Sequence, residues 1–207
     1  MINRVKIITA LWGDKYSVDD IKKLGVDIDI VFSDREIPGY KTIPLDMSWK
    51  GTWKKMQVFD SRHNIGQCLF LDLDVEIKKN LFPLTRFFRN NGTKKEVTCT
   101  HVHWYDNENM ERDKSTYISC NVNTGVFAFN NKYCDHIYQE TVKWRPKLEM
   151  LFEGTDKWWF HKHKDWYNFF PDPWIQHANK EYDEHDYDEA IVISHNGSAY
   201  GRNKIKT

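Results

Sequence analysis

The sequence predicts an α/β domain with a mostly parallel central sheet. Short apolar runs of strand length recur along the chain, and helical patterns lie between several of them. Runs that are apolar throughout are typical of strands covered on both faces, and their alternation with helices favours a parallel sheet. The predicted strands are Val5–Ala10, Ile28–Phe32, Gln67–Leu71, Val97–Thr100, Gly125–Phe129 and Ala190–Ile193.

Two of the predicted helices carry start signals. Ser17 and Asp20 form a capping-box pattern before a short helix that ends at Leu24, and Thr52 can cap a helix that continues to Phe59. The other predicted helices are Leu84–Arg89, with Pro83 in its first turn, and Asn131–Lys143. These helices supply the layers that cover the sheet.

Length and composition indicate one domain over residues 1–207. The chain has 207 residues, of which 40% are hydrophobic, and no repeat or low-complexity linker divides it. The 30 basic residues balance the 30 acidic ones, so the formal net charge is zero. This balance argues against binding to a nucleic acid duplex, which depends on neutralising phosphates.

The sequence also predicts a cytoplasmic location. Met1–Leu11 has only a short apolar stretch interrupted by Lys6, so it predicts neither a signal peptide nor a membrane span. The cysteines are widely spaced, without a C-x-x-C pair, and we expect buried free thiols in a reducing compartment. They are Cys68, Cys99, Cys120 and Cys134.

The carboxyl ends of the predicted strands are the place to search for a ligand site. Open α/β sheets bind ligands outside those ends, so the residues that follow the apolar runs are expected to share one edge. Polar and aromatic side chains are frequent among them. The residues concerned are Leu11–Asp14, Ser33–Asp34, Asp72–Asp74 and Ser194–Gly197.

Asp72 and Asp74 predict a divalent-metal site. Both follow a buried strand, and a spacing of two on an extended chain would point both carboxylates to one side. Carboxylate oxygens are ligands that Mg²⁺ and Mn²⁺ prefer. The chain has neither a G-x-G-x-x-G turn nor a P-loop, so a phosphate ligand would need such a metal, or lysine and arginine side chains.

Phe70–Asp74 resembles the Asp-x-Asp motif of nucleotide-sugar glycosyltransferases with the GT-A fold, especially the glycogenin-like and lipopolysaccharide-galactosyltransferase-like group. Further segments resemble that group's motifs in the same order, from about residue 4 to residue 202. These segments are Leu11–Tyr16, Phe32–Asp34, Trp53–Phe59, Asn121–Phe127, Gly154–Asp156 and His195–Gly197.

The resemblance implies a GT-A α/β/α sandwich and a metal-dependent glycosyltransferase. It implies transfer of a hexose, glucose or galactose, from a UDP-sugar with retention of the anomeric configuration. The acceptor would be a glycan, a lipid-linked molecule or a small molecule. The metal, Mn²⁺ or Mg²⁺, would be held by Asp74 and His195, with Asp72 on the metal, on a metal-bound water or on the ribose.

The same resemblance implies the donor-binding and catalytic residues. Trp12 or Tyr16 would stack on the base, and Asn123 and Asp156 would bind sugar hydroxyls as the catalytic pair. The full donor-binding set is Leu11, Trp12, Tyr16, Asp34, Lys55, Asp72, Leu73, Asn121, Gly197 and Arg202.

The chain departs from the group's pattern in two places. Asp156 is followed by lysine rather than glutamine, and the usual basic tail after the last histidine is replaced by Ser198–Arg202. Arg202 or Lys204 would then bind the phosphates.

Two other functions remain open at this point. Asp72–Val75 also resembles the phosphatase motif of haloacid-dehalogenase-type enzymes, in which the first aspartate is a nucleophile. A catalytically silent sugar-nucleotide-binding module of the same fold is the other alternative. The aromatic cluster formed by Trp158–Phe160 and Trp166–Phe170 is interpreted as core or subdomain packing, with a sugar-stacking acceptor platform as the alternative.

Overall fold

The computed structural model describes residues 4–91, 97–102, 122–152, 154–162, 167–178 and 188–195. Its strands are β1 (Lys6–Leu11), β2 (Ile30–Ser33), β3 (Thr42–Pro44), β4 (Gln67–Leu71), β5 (Val75–Ile77), β6 (Val97–His101), β7 (Val122–Asn130), β8 (Tyr167–Phe169), β9 (Ile175–His177) and β10 (Val192–Ser194). Its α-helices are α1 (Val18–Lys23), α2 (Phe82–Asn91), α3 (Asp135–Leu151) and α4 (Thr155–Lys162). Three 3₁₀ helices span Gly51–Phe59, Ser61–His63 and Asp172–Trp174.

Seven strands form the central sheet, in the order β3-β2-β1-β4-β7-β6-β8. Strand β7 is antiparallel to both of its neighbours, β4 and β6, while the other paired strands are parallel. The prediction of a mostly parallel sheet is therefore confirmed. Because β7 is reversed, its amino end, at Asn123 and Thr124, lies at the edge where β4 ends.

The last predicted strand belongs to a second sheet rather than to the central one. Strand β10 pairs with β5 and with β9, giving the order β5-β10-β9. Strand β5 begins four residues after β4 ends, so the Asp72–Asp74 segment joins the two sheets. The register places Ser194 opposite Val75, and this pairing brings His195 beside Asp74.

Helices cover both faces of the central sheet. Along β4, Cys68 and Phe70 face one cluster of buried residues, while Leu69 and Leu71 face another. The first cluster includes residues of α3, α4 and the 3₁₀ helix Gly51–Phe59, and the second includes residues of α1 and α2. Side chains alternate between the two faces of a strand, so each strand contributes to both clusters. Because helices pack against both faces, the predicted three-layer sandwich is confirmed.

Aromatic rings fill the first of these clusters. The ring of Phe59 lies 4.6 Å from that of Phe129, 5.6 Å from that of Phe127 and 5.7 Å from that of Trp159, between centroids. Trp158 and Trp159 are buried in the same cluster. The packing interpretation is confirmed for these two tryptophans.

The helices differ from their predictions mainly at their boundaries. In α1 the Asp20 carboxylate accepts a hydrogen bond from the Ser17 backbone N–H at 2.9 Å, as the capping box predicts. The segment that ends at Phe59 is a 3₁₀ helix with Lys50, not Thr52, at its N-cap. Helix α3 starts four residues later than predicted, since the Tyr133 and Cys134 N–H groups both bond the Asn130 carbonyl in a preceding turn.

Two further predictions concern membrane-spanning helices and the state of the cysteines. Within the described ranges, no helix is both long enough and apolar enough to cross a bilayer. Cys68 and Cys134 are buried free thiols, as predicted, Cys99 is buried, and Cys120 lies outside the described residues.

Candidate active site

An ion pair between Lys55 and Asp72 lies at the centre of the site. The 3₁₀ helix places the Lys55 ammonium where it donates to Asp72 Oδ2 and, at 3.4 Å, to the carbonyl of Thr124. The two side chains are 8% and 22% exposed. The Asp72 N–H donates to the Gly125 carbonyl at 2.8 Å, so β7 fixes the position of Asp72 after β4 ends.

Three carboxylates act electrostatically on the Lys55 ammonium, and Asp72 is also hydrogen-bonded to it. Burial alone would lower the pKa of Lys55, but Asp72, Asp156 and Asp74 outweigh it and raise that pKa above its ordinary value. Burial also raises the pKa of Asp72; Lys55 opposes this rise, while Asp74 and Asp156 reinforce it. A single cation cannot neutralise three carboxylates, so the site keeps an excess of negative charge that favours a further cation.

Asp156 is held in the first turn of α4 by the reversed strand. Its Oδ1 accepts a hydrogen bond from the Thr124 N–H at 3.0 Å and another from the Thr124 hydroxyl. Thr155 supports the same hydroxyl, with its own oxygen 3.0 Å away. The carboxylate is therefore fixed against the end of the sheet beside Lys55.

Gly125 is required for close packing in the middle of the site. A Cβ atom there would lie 2.8 Å from Asn123 Oδ1 and 3.6 Å from both Asp72 Oδ2 and the Ser194 hydroxyl. Asn123 Oδ1 accepts a hydrogen bond from the Gly125 N–H at 2.8 Å, which turns the carboxamide back over its own strand. The absent side chain leaves room at the point where β4, β7 and β10 meet.

Asp74 contacts a tyrosine from the loop after β1. The Tyr16 hydroxyl lies 3.4 Å from Asp74 Oδ2, and the Lys15 ammonium lies 4.7 Å from the centre of the Tyr16 ring. Burial raises the pKa of Tyr16, and the neighbouring carboxylates Asp74 and Asp72 raise it further. The phenol thus stays protonated and can donate to Asp74.

His195 lies beside Asp74 through the backbone and beside Glu76 through its ring. The His195 N–H donates to the Asp74 carbonyl at 2.9 Å, while Nε2 lies 3.5 Å from Glu76 Oε2. Lys78 lowers the pKa of Glu76, and His195 adds to this effect. An ionised Glu76 therefore faces the imidazole.

Asp34 joins the ends of β1 and β2. Its Oδ2 accepts a hydrogen bond from the Gly13 N–H at 2.9 Å, and Arg35 donates to the Gly13 carbonyl at 3.0 Å. Gly13 has φ +61°, a left-handed conformation that glycine adopts without strain. A cavity of about 750 Å³ lies beside Asp34, lined by residues 33–40, Thr42 and Pro44.

Three further predicted donor contacts lie closer to the core. Leu11 and Leu73 are buried, so only their backbone groups are available to a ligand. Trp12 is half-buried and packs against the aromatic cluster. Four other residues proposed for the nucleotide and sugar lie outside the described residues: Asn121, Gly197, Arg202 and Lys204.

The predicted metal ligands have donor atoms of the types that divalent metals bind. Two of them, Asp74 and His195, are adjacent through a backbone hydrogen bond. Carboxylates at Asp72 and Asp74 suit Mn²⁺ or Mg²⁺, and an imidazole at His195 would favour Mn²⁺, a transition metal, over Mg²⁺. Among the described residues, no group of three His, Cys, Asp or Glu side chains is arranged as a metal-binding cluster. In this arrangement Asp72 is paired with Lys55, and the His195 ring is near Glu76.

Sequence reasoning missed two partners of the predicted residues. Thr124 holds Asp156, and Glu76 faces His195. Glu76 continues the alternation of Asp72 and Asp74, so a period of two could have identified it. The role of Thr124 depends on the approach of α4 to β7, which the local sequence does not encode.

The sheet order and the edge occupied by the site define a GT-A-type fold. Solved glycosyltransferase structures share it. GlyE of Streptococcus pneumoniae TIGR4 is 14% identical, with a TM-score of 0.61 over 92% of this chain and 55% of GlyE. The galactosyltransferase LgtC, solved with donor and acceptor sugar analogs, is 12% identical, with a TM-score of 0.60 over 94% of this chain and 88% of LgtC.

A third structure matches this chain over almost its whole length. It is a glycosyltransferase involved in the glycosylation of the major capsid of PBCV-1, 14% identical, with a TM-score of 0.58 over 98% of this chain and 99% of that one. No protein-family model matches the chain, and no curated protein matches it. At these identities the similarity establishes the fold, and this chain spans about half the length of GlyE.

Proposed function

We propose that this protein is a metal-dependent glycosyltransferase that moves a hexose, glucose or galactose, from a UDP-sugar to an acceptor with retention. The observation that carries the proposal is the meeting of Asp72, Asp74 and His195 with Lys55 and Asp156 at the carboxyl edge of the sheet. Nucleotide and sugar ligands bind at this edge in open α/β folds. The glycosyltransferase structures of the same fold add support.

The roles of the residues follow from their contacts. Asp74 and His195 would hold the metal, with Asp72 next to it, and a bound Mn²⁺ or Mg²⁺ supplies positive charge to a leaving diphosphate. Lys55 keeps Asp72 in place and adds fixed positive charge. Asp156, fixed by Thr124, is available beside the sugar, where a contact that tightens in the transition state would accelerate the chemical step.

The base and ribose would lie near the ends of β1 and β2. Asp34 borders the cavity at this end of the sheet, and Trp12 and Tyr16 come from the adjoining loop. The contact between Tyr16 and Asp74 gives this tyrosine a second role, because one side chain would then touch both the nucleotide and a metal ligand. Buried free thiols are consistent with the cytoplasmic location that forms part of this proposal.

Isothermal titration of UDP with and without Mn²⁺ tests metal dependence. We expect binding only with the metal, and a loss of at least about tenfold in affinity for Asp74→Ala. Asp27→Ala is the control, since Asp27 is an exposed carboxylate before β2, at the opposite edge of the sheet. Binding of UDP without metal, or full binding by Asp74→Ala, would contradict the metal site.

Donor turnover distinguishes an enzyme from a binding module. UDP-glucose and UDP-galactose are incubated with Mn²⁺ and candidate acceptors, and released UDP is measured; the anomeric configuration of the product is read by NMR. Binding of UDP with no turnover of either donor would favour the silent module. Vanadate-sensitive release of inorganic phosphate from simple esters would favour the phosphatase.

A further inference from the structure

The carboxyl-terminal half of α3 exposes apolar side chains that the fold leaves uncovered. Met150 is 75% exposed, Leu151 is 68% exposed and Trp144 is 37% exposed. On the same helix, Thr141 and Leu148 are buried and form its inward stripe. Adjacent exposed apolar residues of this size commonly mark a surface that meets a partner or a membrane.

Two lysines flank these apolar residues on one side of the helix. Lys143, Trp144, Lys147, Met150 and Leu151 recur at spacings of three and four, which places them on neighbouring turns of one face. The ammonium groups of Lys143 and Lys147 each lie 5.1 Å from the Trp144 ring. We call these five residues the α3 surface.

Helix stability explains only part of this arrangement. The helix dipole favours cations within the last turn, which contains neither Lys143 nor Lys147, and their contacts with Trp144 add only a small cation–π stabilisation. Neither effect requires two large apolar side chains to face water at the end of the helix. Met150 and Leu151 therefore need a different explanation.

We propose that the α3 surface binds an anionic lipid bilayer. Tryptophan prefers the boundary between lipid and water, lysine stems can lie along apolar surface with their charges in the headgroups, and Met150 and Leu151 would enter the acyl boundary. The lysine charges complement anionic headgroups. In a symmetric dimer built on this surface, the same lysines of the two copies would face each other, so a second copy offers no such attraction. Glu140 lies four residues before Trp144 in the same helix, one turn towards its amino end.

The α3 surface is close to the candidate active site along the chain. Helix α3 ends at Leu151 and α4 begins at Thr155, with Asp156 in its first turn. A bilayer at this end of α3 would present membrane-embedded molecules near the site. Membrane binding itself does not depend on the proposed transferase activity.

Vesicle co-sedimentation tests the proposal with the full chain. We expect binding to vesicles of phosphatidylcholine with 30% phosphatidylglycerol and much weaker binding to phosphatidylcholine alone. The double variant Met150→Ser/Leu151→Ser should lose about tenfold or more in partitioning. Lys143→Gln/Lys147→Gln should lose roughly fivefold per lysine at low salt.

The control replaces an exposed apolar residue elsewhere. Phe82 is 59% exposed and begins α2, which covers the other face of the central sheet, so Phe82→Ser should bind vesicles like the wild type. Circular dichroism and thermal melts check that all variants fold, which we expect because the replaced side chains are exposed. Failure of the wild type to bind anionic vesicles, or unchanged binding by the double serine variant, would overturn the proposal. A dimer seen by light scattering and lost in the same variant, without vesicle binding, would assign the surface to a second copy instead.

Discussion

The candidate site has two halves that are built differently. In the buried half, hydrogen bonds of 3.0 Å or less join Lys55 to Asp72 and Thr124 to Asp156, and a longer contact of 3.4 Å from Lys55 to the Thr124 carbonyl connects the two pairs. In the rim half, the side chains of Tyr16, Asp74, Glu76 and His195 approach each other only to 3.4 and 3.5 Å. The first half is fixed by the central sheet and its helices, and the second lies where the two sheets meet.

This difference separates positioning from ligand binding. Groups that are saturated by protein contacts keep their geometry whether or not a ligand is bound, which is the property that catalytic positioning requires. Among the described residues, the Asp74 carboxylate has only the long contact with Tyr16, so it retains acceptor capacity for a cation. We therefore expect substitutions in the buried half to reduce stability, and those in the rim half to reduce binding.

The largest effect on stability is expected for Lys55→Met. The substitution leaves the Asp72 carboxylate buried without its cation, and breaking a buried ion pair from one side costs about 3–5 kcal/mol of unfolding free energy. Urea denaturation followed by fluorescence measures this loss.

The adjacent lysine provides a matched control. Lys54 is also buried, but its ammonium donates to the neutral Trp49 carbonyl, so Lys54→Met should cost only about 1–2 kcal/mol. Equal losses of unfolding free energy for the two variants would mean that the buried charge of Asp72 does not contribute to stability. The proposed difference between the buried half and the rim half would then be contradicted.

Asp156→Asn should separate chemistry from stability within the buried half. Asparagine keeps an oxygen that can accept from the Thr124 N–H, so the unfolding free energy should fall by less than about 1 kcal/mol. Loss of the negative charge beside the sugar should lower kcat for donor turnover by roughly 100-fold, with KM little changed.

Asp135 offers a control for the same substitution. It also lies in the first turn of a helix and accepts a backbone N–H, that of Ser61, at 2.8 Å. Asp135→Asn should therefore have a similar effect on stability and none on kcat. A kcat unchanged in Asp156→Asn would limit Asp156 to a structural role.

Local sequence signals identified the central elements of the fold and the predicted residues that meet in the site. The run Gln67–Leu71 is apolar because both faces of β4 are covered, and the polarity change at Asp72 marks the end of that strand. The capping box at Ser17 is equally local. Such features depend on a few adjacent residues, so the local order of polar and apolar side chains is enough to predict them.

The features that could not be predicted depend on contacts between distant segments. Nothing within Val122–Asn130 shows that β7 runs antiparallel, and yet this reversal brings Thr124 to Asp156 and to Lys55. Nothing within the three residues of β5 shows that this strand pairs with β10, and yet the pairing places His195 by Asp74. The candidate ligand-binding residues could thus be identified from the sequence, whereas the contacts that hold them in position could not.

Gly125→Ala should have an intermediate effect. The new Cβ would meet Asn123 Oδ1 at 2.8 Å and break its hydrogen bond to the backbone, at a cost of about 1–2 kcal/mol. Turnover should fall further than stability, because the displaced carboxamide is a proposed sugar contact. Gly154→Ala is the comparison for unfolding free energy. Among the described residues its Cβ would meet only the Thr52 hydroxyl, at 3.1 Å, so a smaller loss is expected.

The smallest effect on stability is expected for Glu76→Gln in the rim half. Glu76 and His195 are 45% and 15% exposed and 3.5 Å apart, and such partly solvated pairs contribute about 0–1 kcal/mol, so urea denaturation should show a change within about 0.5 kcal/mol. Glutamine retains the shape of the side chain while removing the charge that faces the imidazole, so any change in Mn²⁺-dependent UDP affinity measures how that charge orients His195. A loss of stability comparable with that of Lys55→Met would show that the rim is as tightly built as the interior. An unchanged unfolding free energy with weakened UDP binding is the result that a loosely held, ligand-binding rim requires.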